Sequence, residues 1–118
     1  MFTIAKSFTF SASHVLHGLK ADHPCSRMHG HNYIVEVILQ STALNNVGFV
    51  RDYRELDALK KYIDDTVDHR HLNDVLGDDN TTAEHLARHF YQWSKQRWPE
   101  VVAVRVSETP KTWAEYRE

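Results

Sequence analysis

Cysteine occurs once in this 118-residue chain, at Cys25, so no disulfide can form within it and a disulfide-built secreted scaffold is excluded. Glycine and proline are scarce, at four and three residues, which excludes collagen-like and low-complexity architectures. No apolar run approaches the roughly 20 residues that cross a bilayer. No run of lysine or arginine stands out either. With 14 basic and 16 acidic residues and a formal net charge of -2, neither nucleic acid nor a membrane surface is the expected partner. The opening MFTIAKSFTF lacks the basic-then-apolar layout of a secretory signal, and the expected location is the cytoplasm.

What remains is a composition with 42% hydrophobic and 25% charged residues, ordinary for a globular protein. Residues 1–118 read as one domain with one core. Histidine is the anomaly: nine residues, at 14, 17, 23, 29, 31, 69, 71, 85 and 89.

Phe2, Ile4, Phe8 and Phe10 share one parity, predicting a strand from Phe2 to about Ala12 with one buried face. Residues 15–28, with Gly18 and Pro24, read as a loop. From His29 to about Ser41, Tyr33, Val35, Val37 and Leu39 alternate with polar residues, predicting a second strand, and Asn45-Asn46 with Gly48 marks a turn. Asp52-Tyr-Arg-Glu55 fits a capping box ahead of Leu56, Leu59, Ile63 and Val67 at helical spacing. Residues 68–80 read as a polar loop. Thr81-Thr-Ala-Glu84 fits a second capping box, and Ala83, Leu86, Ala87, Phe90 and Trp93 supply the stripe of a helix ending near Pro99. Val102, Val104 and Val106 predict another strand, and Thr112 to Tyr116 a short last one. The fold class is therefore α+β: a ββααββ antiparallel sheet with two helices on one face. Its open strand edges point to a homo-oligomer.

His29 and His31 are two residues apart in a strand, so both imidazoles point to one face, with Gly30 between them. They continue the parity of Tyr33, Val35 and Val37, and His14 continues that of Phe8 and Phe10. Two strands can thus bring three imidazoles to one point. Three neutral histidines with an open fourth position is a catalytic zinc arrangement; the bland alternative is three hydrogen-bonded histidines. Cys25, four residues before His29, admits three readings: a fourth zinc ligand in a closed structural site, an activated thiolate, or an inert buried thiol. Asp68-His69 can orient an imidazole, although neighbours in sequence rarely pair directly, and a third group is expected to close the dyad. Glu108 either extends an apolar face and needs a partner, such as the guanidine-like edge of a pterin or guanine, or stands solvated past the strand end. His85 and His89 lie off the helix stripe and are expected to face solvent.

Taken in order, Phe8-Thr-Phe-Ser-Ala-Ser-His14, Cys25-x-x-x-His29-Gly-His31-Asn32, Gly48-Phe-Val-Arg-Asp52-Tyr53, Asp68-His69-Arg-His-Leu-Asn73 and Ser107-Glu108-Thr109 resemble the 6-pyruvoyltetrahydropterin synthase family. Within it, the chain looks most similar to the short bacterial branch of 6-carboxy-5,6,7,8-tetrahydropterin synthases of queuosine and 7-deazapurine biosynthesis. The resemblance covers nearly the whole chain and implies a tunnelling fold (T-fold) in which subunits associate, commonly as hexamers. It also implies zinc on His14, His29 and His31. Cys25 would then be the catalytic thiolate, completing a proton-transfer triad with Asp68 and His69 from neighbouring subunits. Glu108 would anchor the pterin, and Thr82 would contribute to binding it. The implied reaction is carbon–carbon lyase chemistry on a dihydropterin triphosphate. Two departures stand out: Thr81 replaces the proline of a usual Asn-Pro-Thr, and Val15 stands where arginine is common. The rivals are a pyruvoyl-forming synthase, a non-catalytic pterin binder and a structural zinc protein.

Overall fold

A computed structural model of the chain describes residues 1–77 and 80–118. The long hairpin strands β1 (Phe2–His14) and β2 (His29–Ser41) form its backbone. They pair antiparallel without a slip from Phe2↔Ser41 to His14↔His29. The alternation read from sequence is therefore kept to the last residue of β1, two beyond the expected Ala12. Helix α1 (Asp57–Thr66), strand β3 (Arg70–His71), helices α2 (Leu72–Leu76) and α3 (Ala83–Arg97), and strands β4 (Val101–Ser107) and β5 (Ala114–Tyr116) follow. The sheet order is β3-β1-β2-β4-β5.

Two features depart from the sequence reading. The stretch expected to be a polar loop, 68–80, contains β3 and α2, and β3 pairs with β1 in parallel, so the sheet is mixed. A two-residue strand and a five-residue helix are too short to leave a periodic signal. In β4, Val102 drops out of the inward set. A bulge opposite Ile38 and Leu39 pairs Ile38 with Ala103 and Leu39 with Val101, so Val101 replaces Val102 in the core beside Val104 and Val106.

Both long helices cover one face of the sheet. Phe8, Phe10, Tyr33, Val35, Val37 and Leu39 pack with Leu56, Leu59, Ile63, Leu86 and Phe90 in one apolar cluster. Burying each such side chain contributes roughly 1.5–3 kcal/mol. The Phe10 and Tyr33 rings stack at 4.7 Å and 11°, which floors the end of the hairpin where the histidines lie.

The helix starts follow the capping logic with two adjustments. Asp52 accepts from Arg54 N–H at 2.9 Å, but the turn it caps is 3₁₀ (Tyr53–Leu56), and Glu55 pairs with Arg51 instead of reaching back. For α3 the cap is Thr82, which accepts from His85 N–H at 3.2 Å, and not Thr81. His85 and His89 are half-buried, contrary to the solvent-facing expectation. Tyr62 of α1 widens the covered face of α3: its hydroxyl lies 2.6 Å from His89 Nε2, and its ring stacks on Trp93 at 4.7 Å.

Candidate metal centre and its grooves

The unbroken β1–β2 register sets His14 directly opposite His29, and the period-2 repeat puts His31 on the same face. One ligand nitrogen from each of the three lies within 4.8 Å of the others. His14 is fully buried; His29 and His31 are half-buried.

The hydrogen bonds fix the tautomers. His14 Nδ1 donates to the Thr81 carbonyl at 2.8 Å, with the Thr81 hydroxyl at 3.2 Å. His29 Nδ1 donates to the Arg27 carbonyl at 2.7 Å. A carbonyl can only accept, so in each neutral ring Nε2 carries the lone pair. Those two Nε2 atoms face each other at 2.9 Å. Two lone pairs at that separation need a cation or a proton between them. Burial holds the His14 pKa below the ordinary imidazole value, which disfavours the proton. His31 Nε2 is buried and has no hydrogen-bond partner; the Glu108 carboxylate stands 3.8 Å away. Two opposed lone-pair nitrogens with an unpartnered third imidazole nitrogen beside them fit a metal ion. Beneath them the Tyr33 hydroxyl lies 3.4 Å from His14 Nδ1, and burial raises its pKa.

Cys25 sits in a 3₁₀ turn (Pro24–Ser26), half-buried, and its thiol is not among the converging ligand atoms. Its backbone carbonyl accepts from Leu16 N–H at 3.0 Å, which ties the loop to the end of β1. Two asparagines fasten the same segment. Asn73 bonds both the N–H and the C=O of Val15, each at 3.0 Å. Asn80 does the same for His17, at 2.8 and 3.3 Å.

Asp68 and His69 do pair directly, Oδ2 to Nδ1 at 2.9 Å, correcting the expectation that a third group closes them. The reason is backbone conformation: His69 has φ 59°, and this left-handed turn folds its ring back onto its neighbour. The other oxygen of Asp68 accepts Ser11 N–H at 3.0 Å, the main cause of a carboxylate pKa below the usual range. Among the described residues, the Cys25 thiol makes no hydrogen bond with Asp68 or His69.

Glu108 is the first residue past β4, as the strand-end reading expected, yet it is half-buried and not freely solvated. It connects two grooves. One, of about 480 Å³, is lined by His31, Gly30, Tyr33 and Glu108. The other, of about 370 Å³, is lined by Thr82, Glu108 and Trp113. A third, of about 460 Å³, joins His31 to His69 and His71. The carbonyls of Thr81 and Arg27, Tyr33 and the two asparagines were missed by reading the sequence. Backbone acceptors leave no residue-type signal, whereas Tyr33 stood two residues from His31 on the same face.

The sequence pattern of the family described as 6-pyruvoyl tetrahydropterin synthase matches residues 3–118. The chain belongs to that family. A 6-carboxy-5,6,7,8-tetrahydropterin synthase from Synechocystis sp. is 33% identical over 122 residues, covering 98% of this chain and 93% of the relative. A 6-pyruvoyl tetrahydrobiopterin synthase from Drosophila melanogaster is 32% identical, covering 92% of this chain and 75% of the relative. The solved structure of Caenorhabditis elegans 6-pyruvoyl tetrahydropterin synthase superposes with a TM-score of 0.87 at 28% identity, over 99% of this chain and 95% of that one. The fold is thus that of the 6-pyruvoyl tetrahydropterin synthase family, the T-fold. Among the described residues, no helix is long and apolar enough to cross a membrane.

Proposed function

We propose that this chain is a zinc-dependent 6-carboxy-5,6,7,8-tetrahydropterin synthase. It converts 7,8-dihydroneopterin triphosphate and water to 6-carboxytetrahydropterin, acetaldehyde and triphosphate, on a route to queuosine or another 7-deazapurine. The observation that carries the metal is the facing pair of His14 and His29 lone pairs beside the orphaned Nε2 of His31. Three neutral imidazoles form the ligand set of a catalytic zinc with an open position. Bound there, zinc supplies Lewis acidity toward substrate oxygens.

The rest of the chemistry belongs to side chains. The Cys25 thiolate moves a proton at the substrate carbon next to the ring. His69, oriented by Asp68, exchanges a proton on the other side, and the carboxylate stabilises the imidazolium that results. Glu108 accepts two hydrogen bonds from the guanidine-like edge of the pterin, and Thr82 lies across the same groove as a second contact. By family resemblance, the triad is completed between neighbouring subunits of a homo-oligomer, a hexamer.

The carboxy product is favoured by the Cys25-x-x-x-His29 spacing. The near-equal identities keep a second reading, in which the same residues stop at the pyruvoyl product. A non-catalytic binder would have no use for Cys25, Asp68 and His69 together. Substituting Cys25→Ala separates these classes. The enzyme loses turnover and keeps its metal; loss of metal along with turnover would make Cys25 a structural ligand; unchanged turnover would remove Cys25 from the mechanism.

A further inference from the structure

Trp113 is 44% exposed. It precedes β5 and lines the groove of about 370 Å³ that also holds Thr82 and Glu108, a volume within the roughly 300–1,000 Å³ of small-molecule sites. The indole is held in place from one side. The Arg105 guanidinium lies 4.4 Å from its ring centroid. Arg105 is in turn fixed between two carboxylates, 3.6 Å from Glu36 and 3.8 Å from Glu115. Glu36 and Arg105 are paired across β2 and β4, and Arg105 and Glu115 across β4 and β5, so the sheet register itself aims the guanidinium. The other walls of the groove are the first turn of α3, with Ala83 and Glu84, and Thr112, Ala114 and Glu115 on either side of the indole. A flat aromatic wall, with the Glu108 carboxylate and the Thr82 hydroxyl among the three carboxylates and two hydroxyls around an open slot, suits a planar heteroaromatic bicycle whose edge donates hydrogen bonds.

We propose that Trp113 is a substrate-binding residue that stacks on the pterin ring, with Arg105, held by Glu36 and Glu115, as the positioning residue behind it. This rests on the pterin reading of the Glu108 groove. Stacking of a nucleobase on an aromatic side chain has a known size, and by analogy truncating Trp113 weakens binding by about 5- to 150-fold. The effect falls on ground-state affinity, so KM rises while kcat at saturation holds.

The test is the affinity of the metal-loaded protein for neopterin, measured by calorimetry on wild type and on Trp113→Leu, Trp113→Phe and Glu108→Ala. Leucine keeps an apolar cover over Arg105 but has no π face, whereas phenylalanine retains one. Weak binding by Trp113→Leu with rescue by Trp113→Phe is the expected result. If the Leu variant binds neopterin as tightly as wild type while Glu108→Ala loses it, the pterin groove stands and the stacking role is overturned. Equal weakening of the Leu and Phe variants would make Trp113 a packing residue only. If wild type itself does not bind neopterin, the pterin reading fails, and the stacking role with it.

Discussion

His29→Ala separates a metal ligand from an ordinary half-buried histidine because its effect should depend on whether metal is present. In the metal-free chain the substitution removes one hydrogen bond, to the Arg27 carbonyl, worth about 0.5–1.5 kcal/mol. It also removes a lone pair that opposes His14 Nε2 at 2.9 Å. The two changes offset each other, and the variant should unfold within about 1 kcal/mol of wild type in chelator. With metal the comparison changes. Zinc at a free concentration about 1,000 times its Kd stabilises wild type by roughly 4.1 kcal/mol. For a chain of this length each kcal/mol moves Tm by about 3–6 °C, so the shift is about 12–25 °C. His29→Ala, left with two ligands, should lose most of that shift. Differential scanning calorimetry of both proteins, with chelator and with buffered zinc, reads all four values. A His29→Ala penalty of the same size in both conditions would refute the lone-pair argument.

Three other substitutions probe the neighbouring elements. Thr81→Val deletes the hydroxyl near His14 but keeps the carbonyl that fixes its tautomer, so zinc affinity by competition with a chromophoric chelator should change less than tenfold; a loss of about 10- to 100-fold would move that role to the hydroxyl. Asp68→Asn can still accept Ser11 N–H but no longer stabilises a His69 imidazolium, so turnover should fall by about 10²- to 10⁴-fold with the fold intact by circular dichroism. Burial holds the His89 pKa below 6.5. The unfolded chain therefore binds the proton first as pH drops, and His89 takes stability away as pH falls below about 6.5 towards its folded pKa. Chelator-treated His89→Gln should show a flatter stability–pH curve between about pH 7 and 5 than wild type, and an unchanged slope would count against burial of His89 as its cause.

How far the sequence could be read depended on the length of each pattern. The two hairpin strands carry six or more alternating positions, and that parity extended to His14, His29 and His31 without needing the structure. Val102 misled because a bulge breaks parity and has no residue-type marker here. The strand and helix within residues 68–80 were hidden by brevity. The direct Asp68–His69 pair was hidden by a left-handed backbone at a histidine, where glycine or asparagine would have signalled it. The capping-box pattern pointed to Thr81, with Glu84 three residues on, as the cap of α3. Only the backbone decides that Thr82 starts α3, leaving Thr81 to orient His14. His89 looked exposed because the helix stripe was drawn on α3 alone, without the Tyr62 ring that α1 lays against it.

The central claim is most directly tested by giving the purified, zinc-loaded protein 7,8-dihydroneopterin triphosphate and identifying the products by mass spectrometry. The account predicts 6-carboxytetrahydropterin together with acetaldehyde. A pyruvoyl product alone would keep the site and move the reaction to the second reading, whereas unchanged substrate from metal-replete protein would contradict the enzyme assignment itself.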